Sequence, residues 1–390
     1  MAATDRLRLV SVGIRGVRTL ADVELDLGPM TVLIGTNGSG KSTILECLEL
    51  LRRTPGSGFL EDFHVVHGGA PRLLRHGAQR IELRARLEDP AGGARYSYRI
   101  AVLAGRIHVE SLEIRENGGA PRKLFDRDAG GRIQLQTGSG ELSDAPSLVN
   151  DRTILAQTQW NADPGIAQVA AALAGIDVHV GFDVLVPWVA TGQHARISAR
   201  SPVIVRPADR VGLLGSNLPN VFQALRNRGD DAWQDTMSLV RLGLGDWVDS
   251  VVLTPTADGG SIALAIKARG MDGTIPAVSL SDGQLAYLAF VALVKSSADR
   301  TLLAIDEPEL HLHPEMAARV FDSLVGLSRT TPVVIATHSR RLLDQLEDPA
   351  AATVVCSVEP GFPQTTVLRT KDQRALERGF SEDRPRPANV

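Results

Sequence analysis

Apolar and polar positions change their period several times along the chain, and each change predicts a new element. Residues 6–34 read as strands ending in the apolar run Met30-Thr-Val-Leu-Ile34, and a glycine-rich turn follows directly. From Lys41 the residues Ile44, Leu45, Leu48 and Leu51 recur at helical spacing, and the pattern stops at Thr54-Pro-Gly-Ser-Gly58. Between about 77 and 137 the period falls to two, with Ile81, Leu83, Ala85 and Leu87 on one face and Gln, Glu and Arg residues on the other. Turn signals at Asp89-Pro-Ala-Gly-Gly93, Asn117-Gly-Gly119 and Asp128-Ala-Gly-Gly131 divide that stretch, which predicts an antiparallel sheet. Helices are expected from about 145 to 249, one begun by Ser216-Asn217 and another around Ala232 to Leu242, before a hairpin over 250–270. The remainder alternates strand and helix, and the runs Thr301-Leu-Leu-Ala-Ile305 and Pro332-Val-Val-Ile-Ala336 predict buried strands of a parallel sheet.

Composition narrows the partners. With 390 residues and 43% apolar content, the chain can build one large or two modest cores. Its 42 basic and 45 acidic residues leave a net charge of -3, so no global positive field would hold nucleic acid. DNA binding would need a local patch. Arg196, Arg200, Arg206 and Arg210 are candidates for such a stripe, against the plainer expectation of a solvated surface. Two cysteines, Cys47 and Cys356, cannot make a disulfide framework, which fits a reducing cytoplasm. The charged N-terminus lacks a signal peptide's apolar stretch, and no apolar run of about 18 uncharged residues follows, so a cytoplasmic protein without membrane insertion is expected. No repeat and no sustained heptad pattern appears, so long coiled-coil arms are not expected.

Four segments carry chemistry. Gly35-Thr36-Asn37-Gly38-Ser39-Gly40-Lys41-Ser42 fits G-x-x-x-x-G-K-[ST] between a strand and a helix, where backbone N–H groups can cradle phosphates. Lys41 is expected to reach the β- and γ-phosphates, and Ser42 the Mg²⁺. Asp306 and Glu307 end an apolar strand at the edge where open α/β sheets take ligands, Asp306 suited to Mg²⁺ and Glu307 to polarising water as general base. Ser281, in Leu280-Ser-Asp-Gly-Gln284, is placed to cap a helix whose Leu285, Leu288, Ala289, Ala292 and Leu293 form a stripe. His338, in Thr337-His-Ser339, follows a third buried strand and would share that edge. Taken singly, an acid pair after a strand, a serine cap or one histidine is ordinary; their order is what gives them weight. His311 and His313 alternate as two metal ligands might be spaced, but no further His or Cys cluster completes a site, so a metal role is set aside.

In that order the segments resemble the ATP-binding-cassette (ABC) ATPases, with Walker A at 35–42, signature at 280–284, Walker B at 302–307 and switch histidine at 338. More narrowly, Thr19 to Gly35, Leu280-Ser-Asp-Gly283, Asp306-Glu-Pro-Glu-Leu-His-Leu-His-Pro314 and Ala336-Thr-His-Ser339 resemble the RecF/SMC-like bacterial ATPases, often described as AAA-family and found in DNA-repair and phage-defence systems. The resemblance implies an α/β fold: an ABC-type P-loop NTPase with a mixed sheet, an antiparallel β subdomain and an inserted helical subdomain. Its parts would be an N-terminal core part at 1–76, the β subdomain at 77–140, the helical insert at 141–249, the C-terminal core part at 250–370 and a tail at 371–390.

The resemblance also implies an ATPase using ATP and Mg²⁺. Nucleotide would be held by Asn37, Gly38, Ser39, Gly40, Lys41, Ser42, Thr43 and Arg18, with Ser281, Gly283 and Gln284 reaching nucleotide on another copy and Ser42 and Asp306 serving the metal. Lys41, Glu307 and His338 would be catalytic, Leu310 to Pro314 the D-loop, and Gln157 or Gln159 the Q-loop residue. A homodimer on ATP binding is expected, open to higher assembly, acting as a switch on DNA or on a separate effector protein. Room for a Toprim nuclease of the OLD-family kind is not expected after the switch region. A regulatory subunit gating a toxin or nuclease is the alternative; a transporter motor is disfavoured by Asp282 in the signature and by the large insert.

Overall fold

Alternate residues of the central strands bury into two different cores, and that alternation organises the molecule. The computed structural model describes residues 6–136, 141–158, 163–184, 198–257, 259–296 and 299–370. Gln159, Arg196 and the tail at 371–390 lie outside the described residues.

The chain begins with β1 (Arg8–Val17), β2 (Leu20–Asp26), β3 (Met30–Ile34) and α1 (Lys41–Arg53), then the short helices α2 (Phe59–Val65) and α3 (Gly69–Leu73). Six strands follow: β4 (Arg80–Glu88), β5 (Ala94–Leu103), β6 (Arg106–Glu116), β7 (Arg122–Arg127), β8 (Ile133–Gln136) and β9 (Leu142–Asp144). Next come α4 (Ile154–Thr158), α5 (Pro164–Ala174), β10 (Ile176–His179), β11 (Val203–Ile204), α6 (Leu218–Arg226) and α7 (Asp230–Leu244). The hairpin β12 (Val248–Pro255) and β13 (Ser261–Ala268), with β14 (Ile275–Pro276), precedes α8 (Asp282–Lys295). The last third runs β15 (Leu302–Asp306), α9 (Pro314–Ser328), β16 (Val333–Thr337), α10 (Arg340–Leu343), α11 (Pro349–Ala352), β17 (Thr353–Glu359) and β18 (Thr365–Thr370).

Among the described residues, β10-β15-β16-β3-β17-β18 form a sheet that is parallel except for β18. A second, antiparallel sheet has the order β2-β1-β4-β5-β6-β7-β8-β9. It extends beyond the expected stretch by recruiting β1 and β2, because β1 pairs with β2 and β4 together. Helices are expected from about 145 to 249, yet β10 pairs parallel with β15 in the core sheet. All four of its residues are buried, and so short a run has no period that separates strand from helix.

Leu33, Leu302, Ala304, Val334 and Ala336 bury with α1, α5 and the antiparallel sheet. Val32, Ile34, Leu303, Ile305, Val333 and Ile335 point the other way, into a core shared with α6, α7, α8 and α9. The glycine-loop helix α1 and the Ser281-capped helix α8 therefore pack on opposite faces of one sheet. Leu285 to Leu293 of α8 are buried all round, not along a stripe alone, since α8 is enclosed by α6, α7 and α9. None of the described helices is long and apolar enough to cross a membrane.

Candidate nucleotide-binding site

Three parallel strands bring the candidate residues to one edge. Ile34 of β3 pairs with Thr337 of β16, and Ala336 of β16 pairs with Asp306 of β15. Their C-terminal ends are level, and neighbouring strands lie about 4.8 Å apart, so the three following loops open side by side.

The loop after β3 winds tightly into α1. Gly35, Gly38 and Gly40 have φ of 155°, 78° and 94°. A Cβ at Gly35 would stand 2.1 Å from the Cys356 carbonyl oxygen, so no larger residue fits against β17. Lys41 is 5% exposed, and its Nζ donates to the carbonyls of Gly35 at 2.8 Å and Thr36 at 3.1 Å. Asn37, Gly38 and Ser42 are exposed; Ser39, Gly40 and Thr43 are buried. The Ser39 hydroxyl is buried with no hydrogen-bond partner among the described residues. From β18, Thr366 Oγ1 donates to the Ser39 carbonyl at 3.1 Å and supports the loop from below.

Arg18, at the β1–β2 turn with φ 46°, reaches the first turns of α1. Its guanidinium pairs with Glu46 at 2.6 Å and donates to Thr43 Oγ1 at 3.4 Å. Burial pushes the Glu46 carboxyl up, but the His67 hydrogen bond and the Arg18 charge outweigh it and hold the group below the ordinary range.

Asp306 ends β15, and Glu307 follows with φ 47°, a strained value for a residue with a Cβ. The Glu307 N–H donates to Ala336 O at 2.7 Å, which fixes the turn against β16. Its Oε1 lies 3.6 Å from His338 Nε2, and both side chains are partly exposed. Glu309 sits behind them: one carboxylate oxygen accepts from Thr337 Oγ1 at 2.5 Å and from the His338 N–H at 3.4 Å. Glu309 was not singled out from sequence. Its signal there is a third acid two positions after Glu307, and nothing local says that it turns back to the neighbouring strand.

Ser281 caps α8 in a reciprocal box: its hydroxyl accepts from the Gln284 N–H at 3.2 Å, and Gln284 Oε1 accepts from the Ser281 N–H at 3.0 Å. Ser281 is exposed. A Cβ on Gly283 would stand 2.9 Å from the His311 carbonyl oxygen, so the loop after β15 and the start of α8 meet there. Arg200 departs from expectation. It is 2% exposed, not part of a surface stripe, because its guanidinium is spent on groups on either side of Ser281. Arg206 is exposed, while Arg210 donates to the carbonyls of Ala174 and Asp299.

Gln157 does not share the edge. Its amide donates to the carbonyls of Val149, Arg152 and Thr153, and Thr153 donates to Thr54 O beyond the far end of α1. At about 1.5 Å per residue, α1 separates that point from the phosphate loop by ~20 Å. The residues after β10 come to the edge instead, since His179 pairs with Ile305.

The profile of the family described as "AAA domain, putative AbiEii toxin, Type IV TA system" matches residues 30–160 and 198–344. Among curated proteins, the chain is 34% identical over 108 residues to the Old nuclease of Escherichia phage P2, across 26% of the chain and 18% of the nuclease. It is 45% identical over 38 residues to the OLD nuclease of Thermus scotoductus, across 10% of the chain and 7% of that protein. The chain thus spans less than a fifth of the length of either nuclease. Identity to the phosphonates import ATP-binding protein PhnC 1 of Natronomonas pharaonis is 26% over 218 residues, 54% of the chain and 82% of that protein. Among solved structures, an SmcHead bound to the C-winged helix domain of ScpA superposes with a TM-score of 0.54 at 14% identity, covering 93% of this chain and 98% of that one. The Smc head domain with an extended coiled coil, bound to the C-terminal domain of ScpA from Pyrococcus furiosus, gives 0.51 at 13% identity, with 96% and 98% covered. At such identities the likeness is one of fold.

Proposed function

Since the chain belongs to this AAA-domain family and has the ABC-type ATPase fold of the SMC heads, we propose that it hydrolyses MgATP between two copies of itself. Lys41 and the N–H groups of residues 37–43 hold the phosphates, with Arg18 beside them. The donor set suits Mg²⁺: an exposed Ser42 hydroxyl at the start of α1 and the Asp306 carboxylate at the sheet edge are the hard oxygens that ion prefers. A bound Mg²⁺ would neutralise charge on the β- and γ-phosphate oxygens. Glu307 takes the proton of the attacking water, and His338 orients Glu307 and senses the γ-phosphate.

The observation that carries the dimeric reading is the opposition of α1 and α8 across the sheet. Ser281 is exposed at the start of α8, on the face away from its own α1, where a second copy can bring a phosphate loop to it. Closure on two nucleotides and opening on hydrolysis then make a switch, since closure must bind ATP preferentially. Light scattering on Glu307→Gln with and without MgATP tests this. A shift from monomer to dimer is expected, and a mass unaffected by ATP would sink the switch.

A second reading concerns what the switch controls. The family description names a toxin, and two of the relatives are nucleases, which favours a nuclease or toxin partner, as in phage defence, over DNA held directly or a repair role. A net charge of -3 points the same way. The relation to an import ATP-binding protein favours a transporter motor less, given Asp282 in the signature. Binding of the ATP-closed Glu307→Gln dimer to duplex DNA at physiological salt would reverse this preference.

A further inference from the structure

One buried arginine has no part in the assignments above. The Arg200 side chain is 0% exposed, and four hydrogen bonds leave its guanidinium. Nε donates to Val184 O at 2.7 Å, one terminal nitrogen donates to Ala277 O at 2.8 Å and Leu280 O at 2.7 Å, and the other donates to Asp282 Oδ1 at 2.6 Å. Its own loop is anchored too, with the Ala199 N–H donating to Asp183 O at 3.0 Å.

Three of these four acceptors belong to the segment that carries Ser281. Leu280 and Asp282 flank Ser281, and Ala277 begins the short 3-10 turn that leads into them. A guanidinium is costly to bury and is kept where its rigid fork meets several acceptors at once. The apolar anchors of the segment do not need it, because Ala277 and Leu280 are already 3% and 4% exposed within the core around α8. What Arg200 adds is direction: with the carbonyls of residues 277 and 280 and the carboxylate of residue 282 fixed, the Ser281 hydroxyl and the first N–H groups of α8 hold one orientation.

We infer that Arg200 is a positioning residue for the composite ATP site, holding Ser281 and Gly283 in the geometry that meets a γ-phosphate on the opposing copy. The inference rests on the two-copy reading above. Arg200 touches no nucleotide itself. It acts through Ser281, so its loss harms the site of the other copy and leaves its own phosphate loop intact.

Mixing experiments separate that role from a general structural one. Arg200→Lys should bind a fluorescent ATP analogue within about threefold of the wild-type affinity while turning over ATP at least ~10-fold more slowly. Mixed with Lys41→Ala, which offers an intact signature but no working phosphate loop, it should recover to roughly a quarter of wild-type turnover, as statistical pairing of dimers predicts. Ser281→Arg mixed with Lys41→Ala is the reference pair. If the reference pair recovers and the Arg200→Lys pair does not, the inference is overturned while the two-copy reading stands. If neither pair recovers, both fall. Wild-type turnover by Arg200→Lys alone also overturns it. Should Arg200→Lys fail to fold, Asp282→Ala removes the half-exposed end of the clamp without opening the core. It should slow turnover and be rescued by the same partner, and turnover equal to wild type would overturn the inference.

Discussion

The carboxylate of Glu309 accepts the Thr337 hydroxyl at 2.5 Å, and so joins the loop after β15 to the end of β16. The same oxygen accepts from the His338 N–H, while the Thr337 hydroxyl also accepts the Ser339 N–H at 2.9 Å. The loop that carries His338 is thereby registered against the loop that carries Glu307. Reacting groups misplaced by 1 Å can cost about 100-fold in rate, so Glu309→Ala should lower kcat by roughly 10–100-fold. ATP affinity should stay near wild type, because the phosphate loop is on another strand. Glu309→Gln should fall between, since its amide oxygen still accepts from Thr337. Steady-state turnover together with nucleotide titration checks all three statements, and a pure affinity loss would refute the assignment.

Lys41 is held by two carbonyls of the loop it serves, those of Gly35 and Thr36. An ammonium so placed is pre-oriented for a phosphate and needs little reorganisation to reach one. Two charge-assisted hydrogen bonds are worth about 3 kcal/mol together, or ~100-fold in Kd. Lys41→Ala should weaken ATP by at least that factor, and it should lower the melting temperature of the nucleotide-free protein only modestly, through the donor lost to the Gly35 and Thr36 carbonyls. Isothermal titration and a thermal melt of the same sample decide it.

Much of the parallel core was legible because its motifs are local: the glycine loop, the acid pair and His338 each follow a buried strand within a few positions. Groups whose partners are distant in sequence were not. Arg200 lies 82 positions from Asp282, Glu309 lies 28 from Thr337, and Arg75 reaches Thr365 across 290. A charged residue among polar neighbours looks solvated until the fold supplies its acceptors, which is why Arg200 read as surface. The edge strand β10 failed for a different reason. In Ile176-Asp-Val-His179 the polar residues are buried too, Asp177 against Arg300 and His179, so burial leaves no alternation to read.

Gly243 lets α7 lie directly on the ring of Tyr287, since a Cβ there would stand 2.1 Å from the ring carbon Cζ. Tyr287 is 1% exposed, and its hydroxyl donates to Leu239 O at 2.8 Å, so the ring cannot swing away cheaply. Alanine normally stabilises a helix relative to glycine, by about 0.5–1 kcal/mol. Here overpacking should win, and Gly243→Ala should destabilise the protein by ~1–3 kcal/mol. A melting temperature lower by several degrees is expected, whereas a rise would mean that α7 and α8 move apart at no cost.

Asp177 is buried beside β15, with one oxygen 3.1 Å from His179 Nε2 and the other accepting from Arg300 Nε at 2.7 Å. Burial pushes its carboxyl up, but the His179 hydrogen bond and charge, joined by those of Arg300, more than reverse this and hold it far below the ordinary range. A carboxyl whose pKa is depressed on folding stabilises the protein above its unfolded pKa of about 3.9, and that contribution is lost as pH falls through the folded value. Stability should therefore decline below about pH 4, with Asp177 among the causes. Removing one partner of a buried pair costs about 3–5 kcal/mol, so Asp177→Asn should melt well below wild type at pH 7. The gap should begin to narrow below about pH 4, because there the unfolded wild-type chain takes up a proton at Asp177 while the folded chain still holds the carboxylate. Melting curves of both proteins from pH 7 down to pH 3 measure that convergence, and a gap that stayed constant with pH would show that packing, not the charge on Asp177, sets the cost.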